Sequence, residues 1–332
     1  MFAPSLAGAA TAQSIEPIEP SEPSEPSEPI EPIPVVATFS ILGDMVERIG
    51  GERVAVTTLV GPDGDTHVYA PTPADARAVS DAQVIVANGL GFEGWLDRLV
   101  DAAGFDGAHV MVTRGIEPIA YQEGEQHDDG EAQAETREGE GDEHGDEHGE
   151  EHHGAFDPHA WHSLDLAVTY VDNITAALAR TDPEHATGFY RNRAGYVAEI
   201  GALDAEIRAL VASLPTDRRT VVTSHDAFQY LGRDYGLSFL APQGLSTESE
   251  ASARDVARLI ERMRDDGISA VFVENISDSR LLEQIANETG AVVGGTLHPG
   301  ALSGPDGPAA TYLDLVRHNV TTLVQALGST QE

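Results

Sequence analysis

Hydrophobic positions along this chain follow two periods. Short runs of consecutive β-branched residues alternate with longer stretches in which apolar side chains recur every three or four positions. From Val35 onward the order is strand then helix. Residues 35–40 and 54–60 read as strands flanking a helix over 41–49, residues 84–87 as a short buried strand, 95–102 as a helix and 109–113 as a further strand. Thr72, Pro73 and Asp75 mark another helix start, with an N-cap, a proline at the first helical position and an acid three residues after the cap. Alternating elements of this kind predict an α/β lobe with a mostly parallel sheet.

A long helical pattern then spans 182–214. Tyr196, Ile200, Leu203, Ile207, Leu210 and Leu214 form one apolar stripe, and with no proline until Pro215 the helix can reach ~45 Å at ~1.5 Å per residue. One lobe does not need that length, which predicts a helix running along two. Beyond it, strands over 220–223, 237–241, 270–273 and 291–297 alternate with helices over 227–235, 253–265, 280–288 and 312–327. The predicted fold class is α/β: two α/β lobes, 35–181 and 215–330, joined by one long rigid helix, 182–214, with a cleft between them.

Two stretches fit neither period. Residues 1–12 are small and apolar and end in Ala10-Thr11-Ala12, the small-x-small pattern of a secretory cleavage site, so they read as the remnant of a signal peptide. Residues 13–34 carry proline at nearly every third position and read as an extended Pro/Glu-rich tether. The second stretch, 122–155, interrupts the first lobe with EGEQHDDGEAQAETREGEGDEHGDEHGEEHHGA. It has almost no apolar side chain to bury against the entropy of ordering, so a disordered insert is expected. Its five histidines, His127, His144, His148, His152 and His153, lie among carboxylates, a composition suited to weak auxiliary binding of divalent metal as well as to plain solvation.

Composition narrows the partners. The 332 residues hold 56 Asp and Glu against 19 Lys and Arg, a formal charge of −37. Much of the excess is local: 122–155 has 14 acids against Arg137, and the first 34 residues have six glutamates and no base, leaving 36 acids to 18 bases elsewhere. Such a surface repels nucleic acid and anionic lipid and attracts cations. With no cysteine there is no disulfide, Cys-based zinc finger, iron–sulfur cluster, thiol nucleophile or lipid-bearing N-terminal cysteine in this sequence. No apolar run reaches the ~20 residues of a membrane span. A soluble, monomeric protein exported across an inner membrane into a periplasm is expected.

Three histidines stand out by position. His67 follows a strand in GPDGDTHVYAPTPAD, His159 follows the insert in FDPHAW, and His225 sits at the carboxyl end of a strand in VVTSHDAF. Loops at strand ends are where open α/β sheets place ligand groups. Neutral imidazole suits zinc, and three histidines meeting at a cleft supply most of a tetrahedral site. Asp65, Asp157 and Asp226 stand nearby in sequence to orient the rings.

These segments, with ANGLGFEGWLDRL, VVTSHDAFQYLGRDYGL and ALSGPDGPAATYLDLVRHN, resemble in order and over nearly the whole chain from Val35 the solute-binding receptors of zinc and manganese uptake ABC transporters. The resemblance implies two lobes on a rigid helix, a metal held between them at His67, His159 and His225, and delivery to a membrane permease. A periplasmic metallochaperone is a further partner consistent with it. Manganese receptors typically carry a carboxylate at the third position, so His225 points to Zn2+. Where many relatives have a fourth ligand, an aspartate before the last helix, this chain has Gly300. Water, Asp65 or His298 could take its place, with a lean to His298 at a strand end.

The function expected is therefore a zinc receptor and not an enzyme. A manganese receptor or a metal buffer is the alternative. A zinc hydrolase is the rival from another class, since three histidines and an open position also hold catalytic zinc, yet no HExxH motif is present and the ligands are spread over both lobes. Glu274 reads equally as an acceptor behind a ligand or as a cap of the next helix. Trp95 and Trp161 read as packing residues, and His109, His162, His185 and His318 as surface or capping residues.

Overall fold

The computed structural model describes residues 31–121 and 156–328. The leader remnant, nearly all of the tether, and the acidic insert with its five histidines lie outside the described residues.

The first lobe runs β1 (Ile33–Phe39), α1 (Ser40–Gly50), β2 (Val54–Val60), α2 (Pro73–Asp81), β3 (Val84–Ala87), α3 (Leu96–Ala103) and β4 (Ala108–Met111). Its four strands lie in the order β2-β1-β3-β4, every pairing parallel. β1 begins two residues before the expected lobe: Ile33 and Pro34 pair with Val54 and Ala55, so the tether is shorter than its proline rhythm suggests. Proline is tolerated there because it stands near the start of the strand. The helix start at Thr72 forms as predicted, with Thr72 and Asp75 in a reciprocal capping box.

Two helices follow the insert. α4 (Leu164–Thr181) was not assigned from the sequence, although Ser163 caps it, its Oγ accepting the Leu166 N–H, and Leu164, Ala167, Val171, Ile174 and Leu178 bury one face. After a short turn over Pro183–His185, α5 (Ala186–Ala212) spans 27 residues, ~40 Å at ~1.5 Å per residue. Phe189, Tyr196, Ile200, Leu203, Ile207 and Val211 form its buried stripe. The stripe passes to Val211 where strict alternation points to Leu210, because an α-helix turns in 3.6 residues and not 3.5.

The second lobe repeats the first: β5 (Thr220–Val222), α6 (Gln229–Tyr235), β6 (Ser238–Leu240), α7 (Ala253–Asp265), β7 (Ala270–Glu274), α8 (Arg280–Thr289) and β8 (Val292–Leu297). Its strand order, β6-β5-β7-β8, is that of the first sheet, again all parallel. The last helix, α9 (Tyr312–Gly328), packs on β8 and along α5.

One hydrophobic core runs from the first sheet through α1, α4, α5 and α9 to Phe228, Phe239, Phe272 and Leu297 of the second lobe. A smaller core, with Val222, Leu259, Met263, Val271 and Ile285, fills the space under α7 and α8. The lobes are thus held by shared apolar packing as well as by α5. Strand order reverses between β1 and β3 in one sheet and between β5 and β7 in the other, which opens a crevice at the carboxyl ends of those strands in each lobe.

Candidate metal centre

His67, His159 and His225 arrive from three loops, in the β2–α2 connection, before the turn Ala160–His162, and directly after β5. One nitrogen from each lies within 4.8 Å of the others. The Nε2 atoms of His67 and His159 are 3.3 Å apart, and the ring centroids are 5.4 Å (His67–His159), 5.7 Å (His67–His225) and 5.4 Å (His159–His225) apart. His159 and His225 are buried and His67 half-buried.

Each backbone position is fixed by a carboxylate. Asp65 Oδ1 accepts the His67 N–H at 2.9 Å, and its Oδ2 accepts the Thr247 hydroxyl at 2.6 Å. Asp157 Oδ1 accepts both the His159 backbone N–H at 2.9 Å and the ring at Nδ1, at 2.8 Å. Glu274 Oε2 meets His225 Nδ1 at 2.7 Å while its Oε1 accepts the backbone N–H groups of Ser224 and His225. A carboxylate on Nδ1 holds the proton there and turns the Nε2 lone pair outward, the arrangement found behind metal-ligating histidines. His225 Nε2 is buried with no hydrogen-bond partner, and Asp157 Oδ2 is too.

Burial, reinforced by the neighbouring imidazoles, holds His67 and His159 well below the ordinary histidine pKa. Burial pulls hardest on His225, but the Glu274 carboxylate, with Asp65 and Asp226 behind it, outweighs burial and raises the pKa of that ring. Asp157 is pushed up to about 7 by burial, against the pull of the His159 N–H. Two neutral imidazoles whose Nε2 atoms stand 3.3 Å apart, beside a third nitrogen without a hydrogen-bond partner, make a donor set that a cation completes.

Aromatic rings close the site. Phe92 packs edge-on against His67, with centroids 4.8 Å apart, and Trp161 against His159 at 5.2 Å. Trp95 and Trp161 are buried as expected, their indole N–H groups donating to Thr66 O and Pro299 O.

Several expected roles fall elsewhere. Asp226 does not orient a ring; its Oδ1 accepts from Gln229. The ring of His225 is oriented instead by Glu274 from the adjacent strand. His298 is not brought to the cluster: it is buried, its Nδ1 lies 3.2 Å from Ala301 O, and its ring packs on His318. The Asp65 oxygens accept from the His67 backbone and the Thr247 hydroxyl. Gly300 does stand beside the site, where a Cβ would meet Phe92 at 3.7 Å and Trp161 at 3.8 Å. His162 is not on the surface; it is buried against Phe228, with Nε2 2.8 Å from Pro299 O, a tertiary setting that polarity alone does not reveal. His185 and His318 keep minor roles beside Asp182 and Thr296 O, and His109 is exposed.

Two parallel-sheet lobes with a buried histidine cluster at their strand ends define a metal-binding receptor. The family described as ZnuA, zinc-uptake complex component A, periplasmic, matches residues 35–326, and the chain belongs to this family of periplasmic metal-binding receptors of ABC transporters. It is 32% identical over 294 residues to the iron-binding protein YfeA of Yersinia pestis, covering 89% of this chain and 86% of that one. It is 31% identical over 295 residues to the manganese-binding lipoprotein MntA of Halalkalibacterium halodurans, covering 89% and 88%. The solved structure of the periplasmic zinc-binding protein TroA of Treponema pallidum superposes with a TM-score of 0.77 at 28% identity, covering 90% of this chain and 99% of that one. No helix among the described residues is long and apolar enough to cross a membrane.

Proposed function

We propose that this receptor captures Zn2+ on His67, His159 and His225 and delivers it to the permease of an ABC transporter, without catalysing a reaction. The observation that supports zinc is the donor set: three imidazole nitrogens, two of them backed by carboxylates on Nδ1. The 3.3 Å between two of these nitrogens matches the ~3.3 Å edge of a tetrahedron with metal–nitrogen bonds of ~2.05 Å. Manganese prefers a set richer in oxygen. The names of the relatives include iron, manganese and zinc, so kinship leaves the choice to the ligands.

A water molecule is the fourth ligand in this reading, since His298 is engaged with Ala301 O and the Asp65 oxygens with Thr247 and the His67 backbone. Against a hydrolase, Asp157 and Glu274 each hold the Nδ1 of a ring, the role of a carboxylate behind a metal-ligating histidine and not of a general base. The histidines of the 122–155 insert would add weaker, interchangeable zinc equivalents.

The test is calorimetric. Chelator-stripped protein is titrated with zinc and with manganese, and assayed alongside for hydrolysis of a generic ester. One tight zinc equivalent, weaker manganese binding and no turnover are expected. Tighter manganese binding would transfer the reading to a manganese receptor.

A further inference from the structure

The segment ANGLGFEGW, between β3 and α3, touches the metal centre without supplying a ligand. Gly89, Leu90 and Gly91 are three successive residues with φ of 87°, 56° and 77°. Left-handed backbone is costly at Leu90, which carries a Cβ, so something must hold the loop in this shape. Glu93 does so from below. Its buried carboxylate accepts the Thr38 hydroxyl at 2.7 Å, the Asn88 N–H at 2.7 Å and the Gly89 N–H at 3.1 Å.

From this pinned loop two hydrogen bonds run to the metal centre. Trp95 donates its indole N–H to Thr66 O at 2.9 Å, the residue before His67. Asn88 donates its side-chain amide to Pro158 O at 2.9 Å, the residue before His159, and is itself fixed by the Tyr170 hydroxyl on its Oδ1 at 2.6 Å. Between these two arms Phe92 packs on both rings, with centroids 4.8 Å from His67 and 5.8 Å from His159. Each arm grips the peptide immediately preceding a ligand, so a shift of the loop moves both imidazoles together.

We propose that Asn88, anchored by Glu93, and Trp95 are positioning residues that set the separation of His67 and His159 and thereby the coordination geometry the receptor favours. This rests on the assignment of those histidines as ligands. A loop that fixes the nitrogens at tetrahedral spacing before the ion arrives favours zinc over ions that want six ligands, because preorganised ligands need no rearrangement.

The full chain loaded with cobalt(II) tests this, since four-coordinate cobalt absorbs strongly in the visible and six-coordinate cobalt weakly. Asn88→Asp removes the amide donor to Pro158 O at constant size, and Trp95→Phe removes the indole donor while keeping an aromatic ring. Each is expected to weaken or shift the cobalt bands and to lower zinc affinity by roughly 10-fold or more, as loss of an outer partner of a ligand does. Ile285→Ala, in the separate core of the second lobe, serves as the control for a general loss of stability: its melting temperature falls while bands and affinity stay at parental values. Unchanged bands and affinity in both loop variants overturn the proposal, as does an equal change in Ile285→Ala. Failure of the ligand assignment looks different, because the parent protein would then lack cobalt bands that His159→Ala abolishes.

Discussion

His159 and His225 are both buried imidazoles with a carboxylate on Nδ1, yet their carboxylates reach them by different routes. Asp157 is two residues away in the same loop and uses one oxygen for ring and backbone together, leaving its Oδ2 buried without a partner. Glu274 stands 49 residues along the chain at the end of β7, the strand across the reversal of order in the second sheet, and uses both oxygens. The electrostatic result differs too. Burial drives Asp157 and His159 toward their neutral forms, whereas Glu274 favours the charged form of His225. The first-lobe ring is therefore held neutral, whereas at the second-lobe ring a proton competes more strongly with a metal ion.

The largest effect expected is from removing either ring. His159→Ala and His225→Ala should each weaken zinc binding by more than the ~10–100-fold attached to an outer-shell carboxylate, since a directional bond to the metal is lost. Single histidine changes in the 122–155 insert should leave tight binding in place. Calorimetry on chelator-stripped variants checks this, and tight binding persisting in both alanine variants would remove the two rings from the site.

Next in size are the carboxylates. Glu274→Gln and Asp157→Asn keep shape while removing charge, and both should cost affinity within the ~10–100-fold range of such partners. Glu274→Gln should cost more, because an amide cannot accept at both ends as Glu274 does from Ser224, His225 and the ring. Equal losses measured by competition titration would show that the local and the cross-strand acceptor do the same work.

The contrast between the two carboxylates also explains what could be read from the sequence. Asp157 was legible because FDPHAW places acid and ligand within one loop. Glu274 stayed open between an acceptor and a helix cap, because its role depends on β7 lying beside β5, and the register of two strands is not written in either segment. The strand-helix alternation, the apolar stripe of α5 and the capping box at Thr72 are local patterns and were readable for that reason. His162 and His298 misled because their environments are tertiary: one lies against Phe228 and the Pro299 carbonyl, the other against His318 and the Ala301 carbonyl. The segment Asn88 to Trp95 was recognisable as a motif, but its left-handed turn and its grip on Thr66 and Pro158 appear only once the loops are assembled.

Acidity should separate the two halves of the site. The raised pKa of His225 means that its proton competes with metal from above the ordinary value of 6.5, while His67 and His159, held well below it, stay deprotonated. Zinc affinity should fall by about tenfold per pH unit, one proton's worth, as pH drops through the His225 pKa, and more steeply only in stronger acid. Glu274→Gln removes the carboxylate that raises His225, so the onset of the fall should move to lower pH. Titrations at a series of pH values measure both. Affinity that stays flat from mildly alkaline to mildly acidic solution would mean that imidazole is not the dominant ligand.

The smallest effect expected lies at Gly300, in the turn before α9. Its φ is outside the left-handed region, and a Cβ there would meet Phe92 and Trp161 at 3.7 and 3.8 Å, ordinary contact distances. Gly300→Asp should therefore be accommodated without backbone strain, and the apo melting temperature should hold. The new carboxylate would stand beside the two rings that pack on His67 and His159, close enough to offer an oxygen in place of water. Zinc affinity should change by only a few-fold, and manganese affinity should rise, because an added oxygen ligand favours the harder ion. Paired titrations of parent and variant give the ratio directly. A ratio that stays constant while the apo variant remains stable would show that the fourth position does not open toward this turn.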